Sequence, residues 1–175
     1  MNFLETLVAE WYEYSGHFVR ANPRTRKRAK GGWDVELDVL AFFPGDQKLI
    51  HLETSSDANS WPERKKRFLE KKFILSHQEY ERLIGFKVQK IERVAIVGWM
   101  KSTKADLNWG ENITVVLIPT LMEEITAKLK AIDPMRQAVP EGFPLLRAMQ
   151  MALAFQKENC TTSACTFSAR NLAEK

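Results

Sequence analysis

The side chains with chemistry to offer are three carboxylates and an amine: Glu10, Asp38, Glu53 and Lys65. Asp38 and Glu53 lie fifteen residues apart, and between them Pro44-Gly45-Asp46-Gln47 has the composition of a tight turn, so the two acids fall on paired strands of a hairpin. Carboxylates on adjacent strands are the hard oxygen ligands that Mg²⁺ (or Mn²⁺) takes, with a substrate phosphate completing the octahedron. One shared ion requires them roughly 4 to 6 Å apart. Such an ion polarises a phosphodiester, and an ammonium beside it orients the attacking water or screens the charge that develops. The set is suited to phosphodiester hydrolysis.

Periodicity supplies the elements that must carry these groups. Residues 2–15 place Phe3, Leu4, Leu7, Val8, Trp11 and Tyr14 at three-and-four spacing, which predicts an amphipathic helix ended by Gly16. Glu10 falls beside Leu7 and Tyr14 on the edge of the buried stripe. Residues 17–22 predict a short strand closed by Pro23, and a basic loop follows over 24–32. Residues 33–43 alternate Asp34, Glu36 and Asp38 with Val35, Leu37 and Val39, which predicts one strand with three acids on one face. That face is costly unless something cationic meets it. Residues 48–54 return as a strand with His51, Glu53 and Ser55 on one side, His51 reading as a satisfied core or rim histidine. Ser60-Trp61-Pro62-Glu63 has a capping box and opens a helix to about Ser76. Its apolar side is Trp61, Phe68, Leu69 and Phe73; Lys65 sits within the stripe, while Arg64, Lys66 and Arg67 lie off its centre, toward solvent or phosphate. A helix near 79–84, buried strands over 94–99 and 113–118, and helices near 121–132 and 140–155 complete the pattern. It stops after Gln156, giving a domain over 1–156 and a tail over 157–175.

The order of these segments resembles the PD-(D/E)XK nuclease superfamily, in particular Holliday-junction resolvases and the catalytic domains of type IV restriction enzymes. The likeness runs over about residues 1–120: a helix with Glu10, ELDVLAF at 36–42, a turn, LIHLETSS at 49–56, then a helix. It implies a restriction-endonuclease-like α/β fold, a mixed central sheet flanked by helices. Asp38 matches the motif's aspartate, Glu53 its second acid, Glu10 a first-helix metal ligand, and the Thr54 carbonyl the main-chain ligand. Leu37 replaces the motif proline, a common change. Ser55 replaces the motif lysine, and some members move that lysine to the following helix, where Lys65 has the phase to serve.

The chain of 175 residues is 45% hydrophobic and 27% charged, which excludes disordered and low-complexity classes and leaves room for one core. Its net charge of +4 is unevenly spread: residues 17–30 hold six basic side chains and no acid, and residues 61–72 hold six with two acids. The rest is net acidic, the pattern of one anion-facing surface. Arg20, Arg24, Arg26, Lys27, Arg28, Lys30 and Lys66 are the expected phosphate contacts. Trp33 reads as a core or hairpin residue more than a base-stacking one. No apolar run spans a bilayer and the acidic start is unlike a signal peptide, so a cytoplasmic location is expected, with Cys160 and Cys165 as free thiols. The expected activity is a metal-dependent endonuclease on duplex or branched DNA, in a defence or repair system, working as a homodimer or with a partner subunit and without a membrane. The rival expectation is a silent domain of the same fold that binds nucleic acid or a partner and does not cut.

Overall fold

The computed structural model describes residues 2–57, 59–98 and 107–161, with side chains as far as residue 156. The chain forms two compact units, Met1–Ile125 and Thr126–Lys175. In the first, helix α1 (Phe3–Tyr14) is nucleated by Asn2, whose side chain accepts the Leu4 and Glu5 N–H groups at 2.9 and 3.0 Å. Its stripe Leu4, Leu7, Val8 and Trp11 is buried, and Gly16, at φ +91°, leads the chain out.

Strand β1 (Phe18–Ala21) follows, and then the structure departs from expectation. Residues 24–36 form a two-stranded ribbon, β2 (Arg24–Lys27) against β3 (Trp33–Glu36), in place of a loop and the start of a long strand. Gly31 and Gly32, at φ +90° and +83°, make its turn. The predicted strand 33–43 breaks at Leu37–Asp38, and β4 (Val39–Phe43) begins a different sheet. Asp38 is therefore at a junction: its carbonyl accepts the Asn22 N–H at 2.9 Å, while Leu37 N–H donates to Pro23 at 3.0 Å.

Strand β5 (Lys48–Ser55) returns antiparallel to β4. Helix α2 (Trp61–Arg67), a π-helical turn (Phe68–Lys72) and helix α3 (His77–Ile84) then cross over to β6 (Lys90–Val97), parallel to β5, and β7 (Ile113–Leu117) adds a second parallel pair. Parallel pairing demands such a crossover, since a hairpin cannot supply it. The result is a five-stranded mixed sheet in the order β1-β4-β5-β6-β7. Leu37, Leu40 and Leu49 pack with Leu75, Tyr80 and Val88. Phe68 and Phe73 pack with Ala95, Val97 and Trp109. The crossover thus covers the sheet face that carries residues 49, 51, 53 and 55 of β5.

Helix α4 (Ile118–Lys130) leads into the second unit, where α5 (Pro144–Thr161) runs five residues into the segment expected as the tail. Buried Gln150 accepts the Val139 N–H at 2.8 Å and donates to the Gln137 carbonyl at 3.1 Å. The thiol of Cys160 and all of Cys165 lie outside the described residues. Among the described residues no helix is long and apolar enough to cross a membrane.

Candidate active site

The hairpin brings Asp38 and Glu53 together, and the group that joins them is Lys72. Its Nζ lies 3.1 Å from Asp38 Oδ1 and 2.6 Å from Glu53 Oε2. One cation spans both oxygens, so they cannot be further apart than the sum of those two contacts. Asp38 Oδ2 is held separately, accepting the Thr54 N–H at 2.7 Å and the Thr54 hydroxyl at 3.0 Å. Glu53 Oε1 accepts the Asp38 N–H at 3.2 Å and faces His51 Nε2 at 2.8 Å. Each acid thus spends one oxygen on the protein and presents the other to the cation.

Electrostatics set this cluster apart. The Glu53 side chain is fully buried and that of Asp38 is 11% exposed. Burial raises the pKa of Asp38, and the nearby Glu53 charge adds to the rise against the pull of Lys72. Burial likewise raises Glu53, opposed chiefly by Lys72. Burial pulls Lys72 down, but Glu53 and Asp38 more than offset it and its pKa ends above the ordinary value. Two carboxylates pressed toward protonation beside a stabilised ammonium make a site where a further positive charge is favoured. Glu53 Oε2 is buried without a hydrogen bond of good geometry, its partner being the Lys72 ion pair.

Lys65 is the correction. Its Nζ donates to the Asn108 carbonyl at 2.6 Å, away from the acids. Lys65 shares its stripe with Trp61 and Phe68, as expected, but those rings pack on Trp109, at centroid distances of 6.2 and 5.2 Å. After Arg67 the helix widens to a π turn, closed by Phe73 N–H on the Phe68 carbonyl at 2.9 Å. Lys72 ends that turn; four residues after Phe68 and seven after Lys65, it keeps the phase of the apolar stripe and reaches the acids.

Ser55, two residues after Glu53 on β5, is also occupied from α2. Its hydroxyl donates to Asp57 at 2.6 Å and accepts from Arg67 Nη2 at 2.7 Å. Arg67 also pairs with Asp57 at 2.5 Å. Arg64, expected toward solvent, is instead 4% exposed, stacked on Trp61 at 5.1 Å and bound to the carbonyls of Asp57 and Asn59 at 2.6 and 3.2 Å. It clamps the loop after β5. No model of a known protein family matches the sequence, and no curated protein matches it.

The remaining expected residues are placed as follows. Glu10 is buried on α1, and among the described residues it does not join Asp38 and Glu53 in a metal-ligating group of three. His51 is fully buried and satisfied, as expected, with Nδ1 2.7 Å from the Tyr80 hydroxyl; burial lowers its pKa to about 3. Asp34 and Glu36 do not share the site of Asp38. They sit exposed on the ribbon, where Arg28 pairs with Asp34, and Arg24 with Glu36 at 3.1 Å. Arg26, at φ +57° and skipped by the strand register, is a bulge whose guanidinium binds Glu79 of α3 at 2.8 Å. Three of the four arginines expected on phosphate, Arg24, Arg26 and Arg28, thus hold the protein's own acids. Trp33 is a ribbon residue, 42% exposed. Lys27, Lys30 and Lys66 are exposed, and Arg20 donates to the Leu83 carbonyl at 2.5 Å. A signal for the ribbon exists in the sequence: arginine at 24, 26 and 28 is itself a period-two pattern ahead of a Gly-Gly pair.

Proposed function

We propose that the chain is a divalent-metal-dependent phosphodiester hydrolase acting on DNA, built on the restriction-endonuclease-like plan, with Lys72 in the role of the displaced motif lysine. The observation that carries this reading is the convergence of Asp38, Glu53 and Lys72 from a strand junction, a buried strand and a π turn. Residues so distant in sequence meet in a buried ionic cluster, an arrangement whose replacement by well-packed apolar residues is often neutral or stabilising, so stability alone gives no reason to keep it. The donor set fits Mg²⁺ or Mn²⁺: two hard carboxylate oxygens, one of them buried and short of a hydrogen bond. When bound, such an ion supplies Lewis-acid charge at the phosphodiester.

In this reading the protein groups divide the work. Asp38 Oδ1 and Glu53 Oε2 would hold the ion, and Thr54 fixes the Asp38 carboxylate through Oδ2, so that Oδ1 is left to the cation. In the metal-free protein the Lys72 ammonium pairs with both acids, and its charge would serve to hold the attacking water or a phosphate oxygen. Lys27, Lys30 and Lys66, together with the arginines of the ribbon, bring the DNA backbone to the site. A partner or second copy supplies any base reading.

A second reading, a silent domain that binds nucleic acid or a partner without cutting, is favoured by one observation. The Lys72 ammonium already pairs with both acids, which gives the cluster a cation of its own without a metal. Incubating the protein with supercoiled plasmid, synthetic four-way junctions and RNA in Mg²⁺, Mn²⁺ or EDTA separates the two. Metal-dependent cleavage of DNA that is lost in Asp38→Asn supports the hydrolase; binding without cleavage under every metal supports the silent domain.

A further inference from the structure

Behind Glu53 runs a second line of buried polar groups that the proposed chemistry does not use. His51, two residues earlier on the same face of β5, is fully buried with its ring edge-on to Phe73 at a centroid distance of 5.0 Å. Its two nitrogens have different partners: Nε2 lies 2.8 Å from Glu53 Oε1, and Nδ1 lies 2.7 Å from the hydroxyl of Tyr80, itself fully buried on α3. With the Asp38 N–H and the Lys72 ammonium also aimed at it, Glu53 is the acceptor. The proton of the neutral imidazole therefore sits on Nε2, and Nδ1 accepts from the Tyr80 O–H. Every donor in the line points toward the carboxylate.

We infer that His51 and Tyr80 are positioning residues that lock the Glu53 carboxylate with Oε1 turned into the protein and Oε2 presented to the cation. This rests on reading Glu53 as a metal ligand. The physical argument is one of freedom. A glutamate carboxylate rotates broadly about its last torsion, and two donors on one oxygen remove that rotation before any ion arrives. The imidazole cannot turn in its own right, because α3 holds its far side through Tyr80. Such outer contacts orient metal-binding side chains, and their loss weakens metal affinity by roughly 10–100-fold.

Two substitutions divide the imidazole. In His51→Gln the side-chain amide reaches where Nε2 was and still donates to Glu53; in His51→Asn it reaches only where Nδ1 was and keeps the Tyr80 contact. Mn²⁺ affinity of the full chain, measured by calorimetry, should fall roughly 10–100-fold in His51→Asn and remain near the wild-type value in His51→Gln. Tyr80→Phe, which removes one oxygen, should fall between them. Independently, ¹⁵N spectra of the metal-free wild type should show His51 protonated at Nε2, which remains decisive if His51→Asn does not fold. Equal affinities for the Gln and Asn variants, or an Nδ1-protonated imidazole, would overturn the positioning role while Mn²⁺ binding by the wild type still stood. A wild type whose Mn²⁺ binding is absent, or is unchanged by Asp38→Asn, brings down the metal site itself and this role with it.

Discussion

Asp34 and Asp38 stand four residues apart in one alternating run, yet the chain treats them in opposite ways. Asp34, with Glu36, lies on an exposed two-stranded ribbon, Glu36 paired with Arg24 of the facing strand and Asp34 with Arg28 just beyond its end. Asp38 lies where that ribbon gives way to the central sheet, mostly buried, beside a fully buried Glu53 and a lysine from a distant turn. On the ribbon, ion pairs in water add little to stability, with a typical worth of up to about 1 kcal/mol each. In the sheet the same chemical groups are desolvated, and the fold must supply a cation, a backbone N–H, a hydroxyl and an imidazole to keep them. The contrast teaches that acids of functional interest are recognised by what the fold spends on them. Their type and phase alone do not single them out.

The sharpest way to break the comparison is to remove the cation from the buried side, with Lys65 as the control. Lys72→Ala leaves two buried carboxylates facing one another, so it should destabilise the metal-free protein by about 3 kcal/mol in urea unfolding. It should also lower cleavage by at least ~10²-fold. Lys65→Ala removes a donor to the Asn108 carbonyl and should leave cleavage within the experimental scatter. A nuclease assay that finds Lys65 indispensable and Lys72 dispensable would invert the assignment.

Next in size is the effect of the acids on pH dependence. The folded pKa values of Asp38 and Glu53 are raised by burial, so above their ordinary values the folded state holds protons that the unfolded state has released. Their contribution is present at low pH and lost as pH rises through the folded values. In EDTA, Asp38→Asn should therefore be more stable than wild type at pH 8, with the advantage shrinking toward pH 4, while having no cleavage activity. Added Mg²⁺ should raise the melting temperature of the wild type and not that of the variant. An Asp38→Asn protein less stable than wild type at high pH would show that Asp38 is a structural acid.

His51 acts with the opposite sign. Its folded pKa is depressed to about 3 by burial, while in the unfolded chain it titrates near 6.5. The unfolded state thus gains a proton that the folded state refuses. Stability attributable to His51 is full above about pH 6.5 and declines by about 1.4 kcal/mol per pH unit as pH falls toward 3. Urea unfolding of wild type and His51→Gln at pH 7, 6, 5 and 4 should show this component in the first and not in the second. Parallel slopes would mean that the imidazole is not held neutral.

How much of this was legible in the sequence follows from which regularities held. The α1 stripe, the turn at 44–47 and the pairing of Asp38 with Glu53 were legible, because period and turn chemistry are local and the structure obeys them. His51 could be read as buried and satisfied from its phase with Glu53, although Tyr80, on another element, could not be named as its partner. Lys72 was within reach of the same rule, since it stands seven residues after Lys65 and four after Phe68 on one helical stripe; phase offers both lysines, and only the packing chooses Lys72. Arg64 and the ribbon arginines were misplaced for a related reason. A cluster of basic residues looks alike whether it faces solvent, phosphate or the protein's own acids, and only the fold chooses among these.

The smallest expected effects lie on the ribbon, where they test whether its arginines serve DNA at all. Arg24, Arg26 and Arg28 are engaged by Glu36, Glu79 and Asp34, so each phosphate contact must displace a carboxylate, and part of the counterion release is already spent inside the protein. A free arginine contributes a slope of about 0.9 in log affinity against log salt. Replacing all three by alanine should flatten the salt dependence by clearly less than three such increments. Converse variants sharpen the point: Glu36→Gln and Asp34→Asn remove the competing acids without touching the arginines, and should tighten DNA binding and steepen its salt dependence. Each substitution should cost at most about 1 kcal/mol of stability, since the broken pairs are exposed. If neither the arginine nor the acid variants change DNA affinity in a filter-binding titration across salt, the ribbon is an ion-paired structural element and the phosphate contacts fall to Lys27, Lys30 and Lys66.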